Sequence, residues 1–299
     1  MVKLESEVIF MNPPVPRVAA IHDLSGFGRS SLTVVIPILS TMGIQVCPLP
    51  TAVLSTHTGG FTDYKFIDLT EHLPDYIEHW QRLNLKFDSI YSGFLGSLKQ
   101  IDIVADFIKN FKEEEQLVVI DPVMGDNGKT YGPFGPDMIA RMKELIAQAD
   151  IITPNLTEAA FLLDKDYSEN VDKYVMKKWL RQLAAKGPKT VIITGVIENG
   201  GEKTAVLAYN QKDGRFWKVD CDFIPAQFPG TGDAFTSVIV GSLLKGDSLP
   251  LALDRAVQFI STAVRTTYGY DYSEREGVML ERVLDNLKSP IMSHSYEIF

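Results

Sequence analysis

Cysteine is scarce: the 299-residue sequence contains only Cys47 and Cys221, far apart and without metal-type spacing. This excludes a disulfide framework and a cysteine-ligated zinc site, and predicts reduced, mostly structural thiols in a cytoplasmic protein. Long apolar runs are also lacking, and none reaches the roughly 18 residues of a transmembrane helix. Met1 to Pro16 carries Glu5 and Glu7 and no apolar stretch of signal-peptide length. Positive charge is in deficit. A net charge of -9 argues against nucleic acid or an anionic membrane as the main partner. It also means that an anionic substrate needs local help from backbone amides, a metal or a few placed cations. No internal repeat, low-complexity segment or long linker divides the chain.

Two familiar nucleotide signatures are incomplete. Gly128-Lys129-Thr130 has the ending of a P-loop, but Val123 stands where its first glycine is required. Gly26-Phe27-Gly28-Arg29-Ser30-Ser31 approaches a dinucleotide fingerprint, yet its third glycine is a serine. The next strand also ends without a carboxylate to hold a ribose.

What is present is an apolar fraction of 45%, enough for one large α/β domain or two small ones. An extended arm over 1–16, ending in Pro13-Pro14-Val15-Pro16, precedes a single expected domain over 17–299. Short apolar strands are expected at Arg17–Ile21, Ile44–Cys47, Phe87–Tyr91, Leu117–Asp121, Asp150–Thr153 and Thr190–Thr194. Helical patterns alternate with them: Leu32–Met42, kinked at Pro37, then Thr70–Leu83, Lys99–Glu115, Ile139–Ala149, Asn155–Leu163 and Val171–Ala185. Lys203–Asn210 and Arg215–Val219 read as a hairpin. Two long helices, Phe235–Lys245 and Leu249–Thr267, precede a terminal one near Gly277–Leu287. This order predicts a doubly wound, mostly parallel α/β sheet with helices on both faces.

The chain is organised around Pro229-Gly230-Thr231-Gly232-Asp233-Ala234-Phe235. Its glycines permit a tight turn, so amide N–H groups at the following helix start can point outward at an anion. Asp233 is the charged side chain of that turn, placed where a base can meet a hydroxyl beside the anion. The plainer alternative is an acid that merely suits the positive end of a helix.

In doubly wound sheets ligands bind beyond the carboxyl ends of the strands. Several strands here finish in polar turns: Asp23, Ser92-Gly93, Asp121, Thr153-Pro154-Asn155 and Thr194-Gly195. With Gly230–Asp233 they outline one polar crevice. Asp126 and Glu158 are candidates to hold a hydrated Mg²⁺, which commonly uses one or two carboxylates plus phosphates. Asn155-Leu156-Thr157-Glu158 equally has the spacing of a capping box, in which Glu158 only reaches back to its helix start. Ser55-Thr56-His57-Thr58-Gly59-Gly60 is dense in short hydrogen-bonding side chains, as a plain loop also can be.

Gly230-Thr231-Gly232-Asp233, Asp121-Pro122-Val123-Met124-Gly125-Asp126 and Thr153-Pro154-Asn155-Leu156-Thr157-Glu158 together resemble the ribokinase-like superfamily of small-molecule kinases. Within it, Ser55-Thr56-His57-Thr58-Gly59 and Ser92-Gly93-Phe94-Leu95-Gly96-Ser97 resemble the pyridoxal kinases, over about Arg17 to Thr267. The resemblance implies ATP-dependent phosphorylation of the hydroxymethyl group of pyridoxal and its relatives. It makes Asp233 the base and Gly230, Thr231 and Gly232 the anion hole. Asn155, Thr194 and Thr231 then lie near the ATP phosphates, and Asp126 and Glu158 serve Mg²⁺. Asp121 and Thr153 help a monovalent cation such as K⁺, as in some members. Asp23, Ser55, Thr58 and Phe94 surround the substrate ring, and Asn127–Tyr131 match a lid. A homodimer through strands near residues 51–66 is implied as well. The first turn, Asp23-Leu24-Ser25-Gly26-Phe27-Gly28, is closer to the hydroxymethylpyrimidine kinases, but those usually carry Cys at the position of Asp233. A non-catalytic binding protein on the same fold is the third reading, and an intact base weighs against it.

Overall fold

The computed structural model describes residues 14–132, 134–168, 171–198, 203–290 and 294–299. Most of the expected arm over 1–16 therefore lies outside the described residues. The chain runs β1 (Arg17–Phe27), α1 (Leu32–Thr41), β2 (Gln45–Thr56), β3 (Phe66–Asp68), α2 (Leu73–Arg82), β4 (Ser89–Ser92), α3 (Leu98–Phe111) and β5 (Leu117–Ile120). It continues through the small hairpin β6 (Gly125–Asp126) and β7 (Lys129–Thr130), then α4 (Pro136–Ile146), β8 (Ile151–Ile152), α5 (Leu156–Leu162) and α6 (Lys173–Ala184). Next come β9 (Thr190–Glu198), β10 (Lys203–Asn210), β11 (Arg215–Asp222), α7 (Thr231–Leu244), α8 (Leu249–Tyr268) and β12 (Tyr296–Ile298).

Ten strands form one sheet in the order β12-β11-β10-β9-β8-β5-β4-β1-β2-β3. From β2 to β9 all pairings are parallel, as in Ile90 opposite Val118 and Ile152 opposite Val191. Antiparallel strands close both edges. Successive strand residues point to opposite faces, and both faces are buried, which is why these strands read as unbroken apolar runs. Ala19 and Ile21 pack with α2 to α6 on one face, whereas Val18 and Ala20 pack with α1, α7 and α8 on the other. The sheet is thus the expected doubly wound, mostly parallel one.

The departures from expectation have local causes. β1 continues to Phe27, paired with β2 as far as Thr56, so the expected turn shrinks to Gly28–Ser31. Pro48 and Pro50 are tolerated inside β2 because β3 pairs only with Ala52, Val53 and Leu54, leaving the edge open where the prolines lack N–H groups. α1 runs through Pro37. The region 277–287 is not an α-helix. It folds as 3₁₀ turns at Leu280–Arg282 and Leu284–Lys288: Leu280, Val283 and Leu287 are buried at the helical spacing that prompted the expectation, but the backbone leaves helical geometry at Val283, with φ −126°, between the two turns. α7 begins at Thr231, so the Gly-Thr-Gly-Asp stretch is the first turn of the helix and not a loop before it.

Candidate active site

α7 starts on Gly230, whose φ of 78° lies in the left-handed region that favours glycine. A Cβ there would stand 2.2 Å from the Arg29 carbonyl oxygen, so glycine is required by contact as well as by conformation. The cap position offers no side-chain acceptor, and the first N–H groups of a helix have no intrahelical partner. The Thr231 hydroxyl turns back to the Phe228 carbonyl at 3.0 Å. The result is a helix start whose first donors have no side-chain cap, the geometry that suits an anion.

Asp233, in that first turn, reaches across to the start of α1, where the Ser31 N–H donates to its Oδ2 at 2.8 Å. Ser31 itself has φ 54°, uncommon for a residue with a side chain. Its hydroxyl donates to Asp23 Oδ1 at 2.6 Å, and Ser25 donates to Asp23 Oδ2 at 3.2 Å. Ser31 therefore ties the two acids together. Burial raises the Asp233 pKa to about 7, against the pull of the Ser31 N–H and with help from the charge of Asp23. Burial likewise raises Asp23, while the hydroxyls of Ser31 and Ser25 hold it back. The Tyr91 hydroxyl lies 3.4 Å from the Asp233 backbone carbonyl, below the same turn.

Asp121 follows β5 under Gly232, where an added Cβ would come 3.8 Å from its Oδ2. The Thr236 hydroxyl of α7 donates to the Thr153 hydroxyl at 2.9 Å, and both hydroxyls hold back the Asp121 pKa, so three elements meet here. Burial, then the charges of Glu158 and Asp233, push the Asp121 pKa well above the usual carboxylate range.

Glu158 completes a capping box. Its N–H donates to Asn155 Oδ1 at 2.9 Å, and its Oε2 accepts from the Asn155 N–H at 2.9 Å. Its Oε1 accepts from the Met124 N–H at 3.0 Å, tying α5 to the segment before β6. Asn155 donates to the Gly125 carbonyl, and its backbone bridges to Thr194 in β9. Burial raises Glu158 to about 8, against the backbone donors of Asn155, Met124 and Gly125 and with the nearby charge of Asp126. Asp126 is half-buried on β6, where its oxygens accept from the Asn127 N–H and from Gln227. Among the described residues no three His, Cys, Asp or Glu side chains converge as a metal cage. Two neighbouring carboxylates without a cage fit a hydrated Mg²⁺ that arrives with phosphates, the usual mode for this ion.

The expected pocket floor is less uniform. Phe94 is half-buried after β4 and meets Phe134 edge-on at 6.0 Å. Ser55 is exposed, and its hydroxyl accepts from the Lys65 N–H at 2.8 Å, a contact that belongs to the β2 edge. Thr58 is exposed on a loop pinned by His57, which donates through Nε2 to the Arg275 carbonyl at 2.6 Å and accepts from the Gly59 N–H through Nδ1. His22, Ser31 and Tyr91 stand beside Asp233 without having been singled out from the sequence. The dense run of glycine and serine after His22 was the available signal.

This fold and this uncapped helix start define the ribokinase-like class of small-molecule kinases. The family model described as phosphomethylpyrimidine kinase matches residues 36–278. A crystal structure described as a phosphomethylpyrimidine kinase of Bacteroides thetaiotaomicron, holding pyridoxal, is 55% identical. It superposes with a TM-score of 0.93, covering 95% of this chain and all of that one. Pyridoxal kinase of Lactobacillus plantarum is 33% identical with a TM-score of 0.83, over 91% of this chain and 96% of its own. Pyridoxal kinase of Arabidopsis thaliana is 30% identical over 246 residues, 78% of each chain. The chain belongs to the pyridoxal kinase family, within the group that the phosphomethylpyrimidine kinase model describes. Among the described residues no helix is long and apolar enough to cross a membrane.

Proposed function

We propose that this protein transfers the terminal phosphoryl group of ATP to the hydroxymethyl group of pyridoxal, and of pyridoxine and pyridoxamine, as a step in vitamin B6 salvage. The observation that carries the reading is a carboxylate with a pKa near neutrality in the first turn of an uncapped helix. Phosphoryl transfer needs little covalent chemistry from the protein, mainly alignment, charge stabilisation and a group to receive the hydroxyl proton. The N–H groups of Gly230, Thr231 and Gly232 take the charge on the transferred group. Asp233, anchored through Oδ2 on Ser31, receives the proton with Oδ1. Asn155, Thr194 and Thr231 position the ATP phosphates, and Asp126 and Glu158 serve Mg²⁺, which neutralises phosphate charge when bound. Asp121 and Thr153 favour a monovalent cation, since a buried acid gains from a nearby positive charge. Asp23, Ser55, Thr58 and Phe94 surround the substrate ring, and residues 127–131 close over the phosphates.

Pyridoxal in a neighbour with 55% identity supports this substrate over hydroxymethylpyrimidine. The second reading, a hydroxymethylpyrimidine kinase, has the description of the family model in its favour. Both substrates offer a hydroxymethyl group on a flat nitrogen ring, so base and anion hole serve either. Polar groups built to bond the 3-hydroxyl and aldehyde of pyridoxal lose their partners with the pyrimidine. The test is ADP release with each compound in turn. A kcat/KM for pyridoxal at least about tenfold higher is expected, which needs only ~1.4 kcal/mol. Equal or reversed preference would transfer the chain to the pyrimidine kinases. A homodimer through the β2–β3 edge is part of the proposal, supported by Phe66 and Ile67, which are 48% and 60% exposed there.

A further inference from the structure

His22 is the least explained polar group near the site. It lies on β1 and is fully buried, yet neither ring nitrogen has a hydrogen-bond partner. The backbone of Tyr91 passes close to the ring but outside hydrogen-bonding geometry. Buried donors without partners are rare and costly, so such a ring calls for a reason. Its Nδ1 is 3.8 Å from Asp233 Oδ1, the oxygen that Ser31 leaves unused. The surroundings hold the ring in that direction. Tyr91 packs against it at 4.4 Å and 77°, and Gly93 leaves it room, since a Cβ there would fall 2.3 Å from Nδ1. Burial drives its pKa down to about 3, so the ring is neutral and carries one proton, on Nδ1 or on Nε2.

We propose that His22 is a positioning residue for Asp233: as the Nδ1–H tautomer it donates to Asp233 Oδ1 and, with the Ser31 N–H on Oδ2, fixes the plane of the carboxylate. This rests on the reading of Asp233 as the base. A separation of 3.8 Å is long for a hydrogen bond, but catalytic contacts are often long before substrate arrives and tighten in the loaded site. The donor favours the ionised carboxylate and so offsets part of its burial. Among the described residues the other titratable groups facing this pair are Asp23 on β1, Tyr91 on β4, Asp121 beyond β5 and Tyr131 after β7.

Nitrogen-15 NMR of the histidine-labelled wild-type protein tests the tautomer without any assay of activity. The His22 signals are identified by their loss in His22→Gln. Well above the Asp233 pKa of about 7, the proton is expected on Nδ1. A proton on Nε2 would overturn the proposal. The kinetic arm compares His22→Leu with His22→Gln. Loss of the donor in His22→Leu should move the acid limb of kcat/KM up by about one pH unit and lower kcat on the order of tenfold, with KM for ATP unchanged. His22→Gln, which still carries an N–H donor, should recover most of both. A merely structural ring would lower Tm in both variants and leave the acid limb in place, and that result also overturns the proposal. If His22→Leu does not fold, the wild-type tautomer decides alone. A protein that phosphorylates none of the vitamers would refute the functional reading while the tautomer stayed measurable.

Discussion

The starts of α5 and α7 are built from the same parts and put them to opposite use. Each follows the carboxyl end of the sheet, and each carries an acid three residues after its cap: Glu158 after Asn155, and Asp233 after Gly230. In α5 the cap has a side chain and the acid is long enough to fold back. Asn155 and Glu158 satisfy each other, and the second carboxylate oxygen is taken by Met124. In α7 the cap has no side chain, so nothing draws the shorter Asp233 back to its own backbone. It is held from another element, by Ser31, and the start of its helix has no side-chain cap. A box that closes on itself stabilises a helix, whereas one that lacks its cap leaves donors and an acid for a ligand.

The largest break in this contrast should come from Asp233→Asn. The amide oxygen can still accept from the Ser31 N–H, so the fold should survive, while kcat falls by roughly 10²–10⁴ for loss of a general base. Near-wild-type kcat in a steady-state assay would remove Asp233 from that role. In the wild type, kcat/KM should rise with pH through about 7, as Asp233 loses its proton. Stability runs the other way. Asp233 titrates at 3.8 unfolded and about 7 folded, so the folded state holds its proton more tightly. The wild type should thus lose stability as pH rises between those values. Without ligands, Asp233→Asn should gain Tm relative to the wild type on moving from pH about 5 to about 8.

Gly230→Ala comes next. It places a Cβ at φ 78° and against the Arg29 carbonyl, so the turn must shift. Strain of this kind costs about 1–3 kcal/mol. Because displacement by about 1 Å can cost a hundredfold in rate, a kcat loss of roughly 10–10² is expected beside a lower Tm. If stability falls while kcat is preserved, the open helix start is not where charge develops.

The class of fold could be read because a sheet buried on both faces demands apolar strands, and Leu117–Ile120 or Thr190–Ile193 can hardly be anything else. The Gly230 turn was legible for a similar reason, since a left-handed residue pressed on a carbonyl leaves few choices besides glycine. Ser31 was not legible. Its φ of 54° is sustained by bonds to Asp23 and Asp233, one eight residues away and the other 202, and nothing local in the sequence announces them. His22 escaped because a polar residue at a strand end is ordinarily solvated, and its burial depends on Tyr91 and Gly93 from a neighbouring strand. β12 escaped for want of length, being three residues whose strand pairing is supplied by β11.

The smallest effect belongs to Glu158→Gln, which asks whether the closed box does anything beyond closing. The amide oxygen can accept from the Asn155 or the Met124 N–H but not both, while its NH₂ group meets the other donor. The protonated acid has the same limitation, and Glu158 holds its proton up to about 8 when folded against 4.5 unfolded. Folding is therefore favoured by the proton, and wild-type stability should fall as pH rises between those values. Gln, which has no proton to lose, should match the wild-type stability near pH 5 to within about 1 kcal/mol and exceed it near pH 9, as thermal unfolding at each pH would show. The metal is read separately. If Asp126 and Glu158 together serve Mg²⁺, loss of one charge should raise the Mg²⁺ needed for half-maximal rate by about tenfold, the lower end of what changes around a metal cost. The cap alone predicts the same thermal behaviour with an unmoved Mg²⁺ titration. Asp126→Asn then separates the two acids. Its side chain is half-buried and bonded to Asn127 and Gln227, so the fold depends on it less. A Mg²⁺ shift in that variant but not in Glu158→Gln would leave α5 a closed box and place the metal on β6 alone.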